Sequence, residues 1–270
     1  MPTIKMIATD IDGTFITSDH DFNQLHFQRV LKQLNARQIK FAIASGNQMR
    51  HLTDMFAGYD NLAFLAENGG LVTIDNQPIF TETIAPSDLQ VALQLIHHDE
   101  HLIGGSVISS GIHGAYLERD TTPELIAGAN YFYSGLQLCD NLTAINDDIF
   151  KLDLVWSDDL AANRATFLNQ HLPDTLTATP SGFGGLDIIP SHVSKEVGLT
   201  ALEKYWDIQP NEVMTFGDND NDLSMLTHTD YGYAMANAAT NIRAAAPFTT
   251  QWTNDEDGVL RTIDEVLGLN

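Results

Sequence analysis

Apolar positions in the first part of the chain follow two alternating rhythms. Short runs are almost continuously apolar: "IKMIATD" near the start, "IKFAIAS" at 39–45 and "LAFLAEN" at 62–68. That is the pattern of strands buried on both faces. Between them the spacing lengthens. Residues 23–37 carry Leu25, Val30, Leu31 and Leu34 at near-helical intervals, and "NQMRHLTDMFAG" reads as a helix closed by Gly58. Strand, helix, strand, helix, strand predicts a parallel sheet with right-handed crossovers.

The rhythm then changes. "GGLVTIDNQPIFTETI" (69–84) reads as a hairpin turning at "DNQP". The pattern next predicts helix 87–98, strands near 103–109 and 114–118, helix 122–132, strand 149–156 and helix 158–170. A strand pair follows in "LTATPSGFGGLDIIP". After Pro190 the first rhythm returns, with helix 195–206, strand "EVMTFGD", helix 220–226, strand "YGYAM" and a helix near 258–267. A sheet interrupted and then resumed implies an α/β fold: a Rossmann-like parallel-sheet core, 1–83 and 189–270, with an inserted α+β cap domain, 84–188. In open parallel sheets ligands bind beyond the carboxyl ends of the strands, so chemistry is sought there.

Composition narrows the partners. Hydrophobic residues make up 43% of the 270, enough to bury a core. Lys and Arg number 13 against 36 Asp and Glu, a net charge of −23, which repels phosphate backbones and argues against nucleic acid as a partner. A small anionic substrate would need its own local positive charge. A single cysteine, Cys139, excludes an intrachain disulfide and suits a reducing cytoplasm. Asp10 and Asp12 interrupt any signal-like run, and no stretch approaches the ~18 apolar residues of a membrane span, so no membrane partner is expected.

Four strand ends or helix starts carry polar groups. The first strand ends in Asp10 and Asp12, the second in "ASGN" with Ser45 and Gly46. Lys195 opens a helix, where a cation opposes the helix dipole; a local rule broken there hints at function. A late strand ends in "GDNDND", 217–222. Counted from Asp218, the sixth residue is Leu223 rather than the Gly of a calcium loop, so an EF-hand is rejected. Locally a helix N-cap with acidic first-turn residues serves equally well; paired with Asp10 across a sheet, hard oxygen ligands for Mg²⁺ serve better. "HHDEH" places His97 and His101 four apart, a weaker metal pair than a solvated helix end. "SGFGG" lacks the Lys-Ser/Thr ending of a nucleotide-binding loop.

Taken together, "DIDGT", Ser45, Lys195 and "GDNDND" resemble the four motifs of the haloacid dehalogenase-like phosphatases, in order and over nearly the whole chain. Only 32 residues separate Asp12 from Ser45, whereas 149 separate Ser45 from Lys195, so the cap lies in the second interval. That resembles the Cof-type branch with its C2B-type cap. "ASGNQ", "AENGGLV", "SGFG", "DIIP" and "NAA" after "YAM" are similar to bacterial Cof-type sugar phosphatases. Asn47 departs from the common "SGR" form, and two residues stand between His192 and Lys195 where "HKxxG" is common.

The resemblance implies Mg²⁺-dependent hydrolysis of a phosphorylated sugar. It casts Asp10 as nucleophile and Asp12 as general acid and base. Mg²⁺ would take Asp10, the Asp12 carbonyl and Asp218, with Asp222 as an anchor behind them. Ser45, Gly46, Lys195 and Asn221 would bind the phosphoryl oxygens. "GIHGAYLERD" and "SGFGG" are the cap segments expected near the sugar. Two alternatives remain, a phosphosugar mutase-like phosphotransferase and a catalytically silent phosphosugar-binding regulator.

Overall fold

The computed structural model describes residues 3–156, 158, 160–182 and 185–269. It opens with β1 (Met6–Thr9), α1 (Gln24–Ala36), β2 (Lys40–Ala44), α2 (Met49–Met55), β3 (Leu62–Ala66), β4 (Leu71–Ile74) and β5 (Gln77–Thr81). Next come α3 (Pro86–His98), β6 (Ser106–Gly111), β7 (Ala115–Glu118), α4 (Pro123–Phe132), β8 (Leu136–Cys139), β9 (Ile149–Val155), α5 (Ala161–His171), β10 (Leu176–Gly182) and β11 (Gly185–Pro190). The chain closes with α6 (Lys195–Trp206), β12 (Val213–Gly217), α7 (Leu223–His228), β13 (Tyr231–Ala234), α8 (Thr240–Ala245), β14 (Phe248–Thr249) and α9 (Gly258–Leu267).

Contacts divide the chain into two compact units. The first takes the chain up to Gly46, Phe56–Thr81 and the chain from Ser194 onward; the second takes Asn47–Met55 and Glu82–Val193. In the first unit eight strands run in the order β14-β13-β12-β1-β2-β3-β4-β5. Pairings from β14 through to β3 are parallel, and β4 and β5 add an antiparallel hairpin. β1 is the switch point: the chain leaves it toward β2 on one side and returns to β12 on the other.

Side-chain size decides what packs on each face. On one face Ala8, Ala42, Ala44 and Ala63 meet Leu199 and Leu202 of α6. Small side chains there let a helix lie close to the sheet. The alternate positions point the other way, because successive strand side chains do. There Phe41 joins Phe15, Phe22, Phe27, Phe56 and Tyr59 in one aromatic cluster, with ring centroids 4.8–6.4 Å apart. Such pairs add ~0.5–1.5 kcal/mol each beyond burial. α1 and α9 meet nearby, and Arg37 Nη1 donates to the Leu267 carbonyl at 2.6 Å, satisfying the open end of α9.

The second unit is built on a sheet ordered β10-β11-β9-β6-β7-β8, antiparallel except for β7 with β8. Ala92, Leu93 and Ile96 of α3 and Leu168 of α5 pack with Leu152, Leu154 and Ile188 on one face. Ala129 of α4 and Tyr133 just after it pack with Ile108, Ala115 and Leu117 on the other. α2 belongs to this unit, where Arg50 lies against Gly135 and His51 against Tyr131.

Several expected elements shift. Leu25 does not face the core; it is exposed, and Phe27 takes the buried place on α1. The helix expected at 220–226 starts as a 3₁₀ turn, Asp220–Asp222, before α7. The strand expected near 103–109 is β6 at 106–111. β8, α8 and β14 were not anticipated at all. Among the described residues, no helix is long and apolar enough to cross a membrane.

Candidate active site

β1 delivers Asp10 immediately beyond its last residue, and Asp10 N–H donates to the Phe216 carbonyl of β12 at 3.0 Å. Asp12 follows in the turn, partly buried. Gly13 has φ +76°, a conformation that favours glycine, and a Cβ there would lie 2.5 Å from Asp218 Oδ2. The turn and the late acidic loop therefore meet at van der Waals contact. Thr14 Oγ1 donates to Asp218 Oδ1 at 2.9 Å, and Asn237 Nδ2 donates to the Gly13 carbonyl at 2.7 Å.

Lys195 is the first residue of α6 and only 1% exposed. Its Nζ donates to Asp10 Oδ1 at 2.6 Å and to Asp222 Oδ1 at 2.5 Å. The misplaced cation is thus explained: it is aimed into a carboxylate pair, while Ser194 Oγ caps the helix by accepting from Val197 N–H at 3.3 Å. Asp222 is fully engaged. Its Oδ2 accepts from the Asp218 and Asn219 N–H groups at 3.0 and 3.1 Å, which closes the "GDNDND" turn.

Oxygens of Asp10, Asp218 and Asp222 lie within 4.8 Å of one another. Asp12 lies close enough to act on Asp10 and Asp218, so four carboxylates share the site with one ammonium. Burial, then Asp222, pushes the Asp10 carboxyl well above its ordinary range, and Lys195 only partly offsets this. Burial and Asp222 likewise push Asp218 up to about 6. Burial works against the charge on Lys195, but Asp10 and Asp222 outweigh it and raise its pKa, so it stays an ammonium. A cluster of oxygen donors with excess negative charge suits a divalent hard cation such as Mg²⁺. Asp10 and Asp218 could hold it; Asp222, with both oxygens committed to the protein, is an anchor.

The remaining expected residues form a second group. Ser45 is buried at the end of β2, and its N–H donates to the Leu65 carbonyl at 2.8 Å. Gly46 and Asn221 are brought together through Asn68, a residue to which the sequence reading gave no role. Thr14, Asn237 and Asn68 were all missed as contributors. Asn68 and Asn237 lie inside the quoted "AENGGLV" and "NAA" segments, but residue type alone gave them no function.

Other candidates separate from the site. His97 and His101 do not form a metal pair, because α3 ends at His98 and the two rings turn to different acids. His97 Nε2 lies 3.2 Å from Glu118 Oε2, and His101 Nδ1 lies 2.8 Å from Asp99 Oδ1. Phe183 and Gly184 of "SGFGG" lie outside the described residues.

Comparison with known proteins gives the family. The haloacid dehalogenase-like hydrolase family profile matches residues 7–263. The chain is 33% identical over 269 residues to the 5-amino-6-(5-phospho-D-ribitylamino)uracil phosphatase YbjI of Escherichia coli, covering 98% of this chain and 97% of that one. It is 23% identical over 270 residues to the HMP-PP phosphatase of Klebsiella pneumoniae, covering 94% and 97%. The crystal structure of SMU.1108c from Streptococcus mutans superposes with a TM-score of 0.92 at 33% identity, covering 98% of this chain and 99% of that one. The chain belongs to the haloacid dehalogenase-like hydrolases and is a phosphatase of the Cof type.

Proposed function

We propose that this phosphatase hydrolyses small sugar phosphates with Mg²⁺, through an aspartyl-phosphate on Asp10. The observation that carries the reading is the buried Lys195 ammonium held between Asp10 and Asp222, with Asp218 alongside. A lysine so placed answers the local need for positive charge in a chain of net charge −23.

In the first step the Asp10 oxygen not bound by Lys195 attacks phosphorus. A bond from that oxygen to phosphorus forms, the ester oxygen–phosphorus bond breaks, and Asp12 gives its proton to the departing alkoxide. In the second step Asp12 takes a proton from water as that water attacks phosphorus. The phosphorus–Asp10 bond breaks, and inorganic phosphate leaves. Ser45, the Gly46 amide, Lys195 and Asn221 bind the phosphoryl oxygens and keep them aligned. Mg²⁺ held by Asp10, the Asp12 carbonyl and Asp218 would supply further charge stabilisation to those oxygens. In this reading the unit built from the chain up to Gly46, Phe56–Thr81 and the chain from Ser194 is the catalytic core, and Asn47–Met55 with Glu82–Val193 is the cap that governs substrate choice. This differs from the bounds 1–83, 189–270 and 84–188 chiefly in placing α2 with the cap. In this reading the enzyme works in a reducing cytoplasm, which the lone thiol of Cys139 suits.

A second substrate reading has its own support. The YbjI relative is named for a phosphorylated ribityl chain attached to an aminouracil, and the same ester is the alternative substrate for this chain. The deciding experiment is phosphate release from hexose phosphates, pentose phosphates and the phosphoribitylaminouracil, each with MgCl₂ or with chelator. Turnover with Mg²⁺ that chelator abolishes supports the enzyme; its nature as a mutase would emerge as isomerised product when a sugar bisphosphate is added. No turnover on any ester with Mg²⁺ rejects the hydrolase reading and favours a silent binder.

A further inference from the structure

We infer that Asn68 is a positioning residue for the phosphoryl group, acting through Asn221; the inference rests on the phosphatase reading above. Its first support is backbone conformation. Glu67, Asn68 and Gly69 take φ values of +53°, +58° and +95° in succession, immediately after β3. Two of these are not glycine, and such left-handed residues persist only where their surroundings over-determine them. Asparagine tolerates this region better than most residues.

The second support is what the turn holds. Asn68 N–H donates to the Ser45 carbonyl at 3.1 Å, tying β3 to the loop that follows β2. Asn68 Oδ1 accepts from Asn221 Nδ2 at 3.3 Å. That same Oδ1 lies 3.0 Å from where a Cβ on Gly46 would stand, so the carboxamide packs directly on the loop backbone. The next residue reaches the third strand-end element. A Cβ on Gly69 would lie 2.2 Å from the Ser194 carbonyl, one residue before Lys195. One left-handed turn therefore touches the loops that carry Ser45, Asn221 and Lys195.

The chemistry follows from the donor inventory. Asn221 Nδ2 bears two N–H bonds. Giving one to Asn68 fixes the plane of the carboxamide and aims the other, which is the group assigned to a phosphoryl oxygen. Asn68 is suited to this because it accepts a hydrogen bond without adding a charge. An aspartate would accept equally well but place another anion beside Gly46, where phosphate is to bind.

The test uses Asn68→Gly, which keeps a residue at ease with positive φ and removes the side chain, Cβ and carboxamide together. Urea and thermal unfolding should match the parent. Two quantities are then read: kcat and KM on the best sugar phosphate, and binding of inorganic phosphate by calorimetry in MgCl₂. Loss of one oriented hydrogen bond should weaken phosphate binding and kcat/KM by about threefold to tenfold. The loss should be shared with Asn221→Ala, so that the double variant is no worse than Asn221→Ala alone. Asn68→Asp should bind phosphate more weakly than Asn68→Gly. Unchanged phosphate binding in Asn68→Gly, or losses that multiply in the double variant, would overturn the inference while leaving hydrolysis intact. Weaker phosphate binding in a chain that hydrolyses no ester would instead retain the positioning role and reject the phosphatase reading.

Discussion

Without a divalent cation, replacing Asp218 by Asn should make this protein more stable. Burial, with Asp222 next, lifts the Asp218 carboxyl from an ordinary value near 4 to about 6 in the folded chain. The folded state therefore binds this proton more tightly than the unfolded state does. Below about pH 4 the group is protonated in both states and has no effect. Between about pH 4 and 6 the unfolded chain releases its proton first, and stability falls as pH rises. Above that range the loss is complete, at about 3 kcal/mol. Asp218→Asn removes the charge and keeps an oxygen for Thr14 Oγ1, which donates to Asp218 Oδ1 at 2.9 Å.

In chelator at pH 7.5 the variant should gain up to about 3 kcal/mol, and at pH 4 the two proteins should coincide. MgCl₂ should close that gap. The parent gains about 2.7 kcal/mol at a hundredfold excess of Mg²⁺ over its Kd, and the variant, one ligand short, gains little. Urea unfolding followed by near-ultraviolet circular dichroism at pH 4, 5, 6 and 7.5 reads all of this. Asp153 in the second unit is also pushed up to about 6, by burial against the opposing pull of Lys151. Parent and variant share that contribution, so their difference isolates Asp218. A variant less stable than the parent in chelator at pH 7.5 would refute the claim that this carboxylate is held against uncompensated charge.

Asp10→Asn should reduce turnover to background while inorganic phosphate still binds; a parental rate would remove Asp10 from the nucleophile's role. Asp12→Ala should lose more on sugar phosphates than on an activated aryl phosphate, since only the poor leaving group needs its proton, and equal losses would count against that role. Gly13→Ala combines a φ of +76° with a Cβ 2.5 Å from Asp218 Oδ2. Displacing that carboxylate should cost about 100-fold in kcat/KM and weaken Mg²⁺ in titrations, and a parental Mg²⁺ affinity would show that the loop yields without consequence.

What the sequence disclosed depended on how each residue acts. Buried strands such as "KFAIA" announce themselves by composition, and so does the insert that breaks the α/β rhythm. Lys195 was legible because it violated a helix rule, and the structure supplies the reason in Asp10 and Asp222. β8, α8 and β14 were illegible because they are short and bury little; α8 buries only Ile242. Leu25 misled because its apolar side chain sits on the exposed side of α1. Asn68, Thr14 and Asn237 act through contacts with distant residues and through backbone conformation, neither of which residue type records. Their partners lie 153, 204 and 224 positions away.

The place of β1 in its sheet has a consequence for synthesis. Met6 pairs with Lys40 on one side and with Val213 on the other. The first partner leaves the ribosome soon after β1. The second follows only after β1 has waited for about 200 more residues, ~10–40 s at ordinary elongation rates. Throughout that interval the central strand carries an open hydrogen-bonding edge, a template for wrong partners. Slower translation of 82–193 should therefore lower the yield of folded protein, and a chaperone that shields nascent strands should restore it.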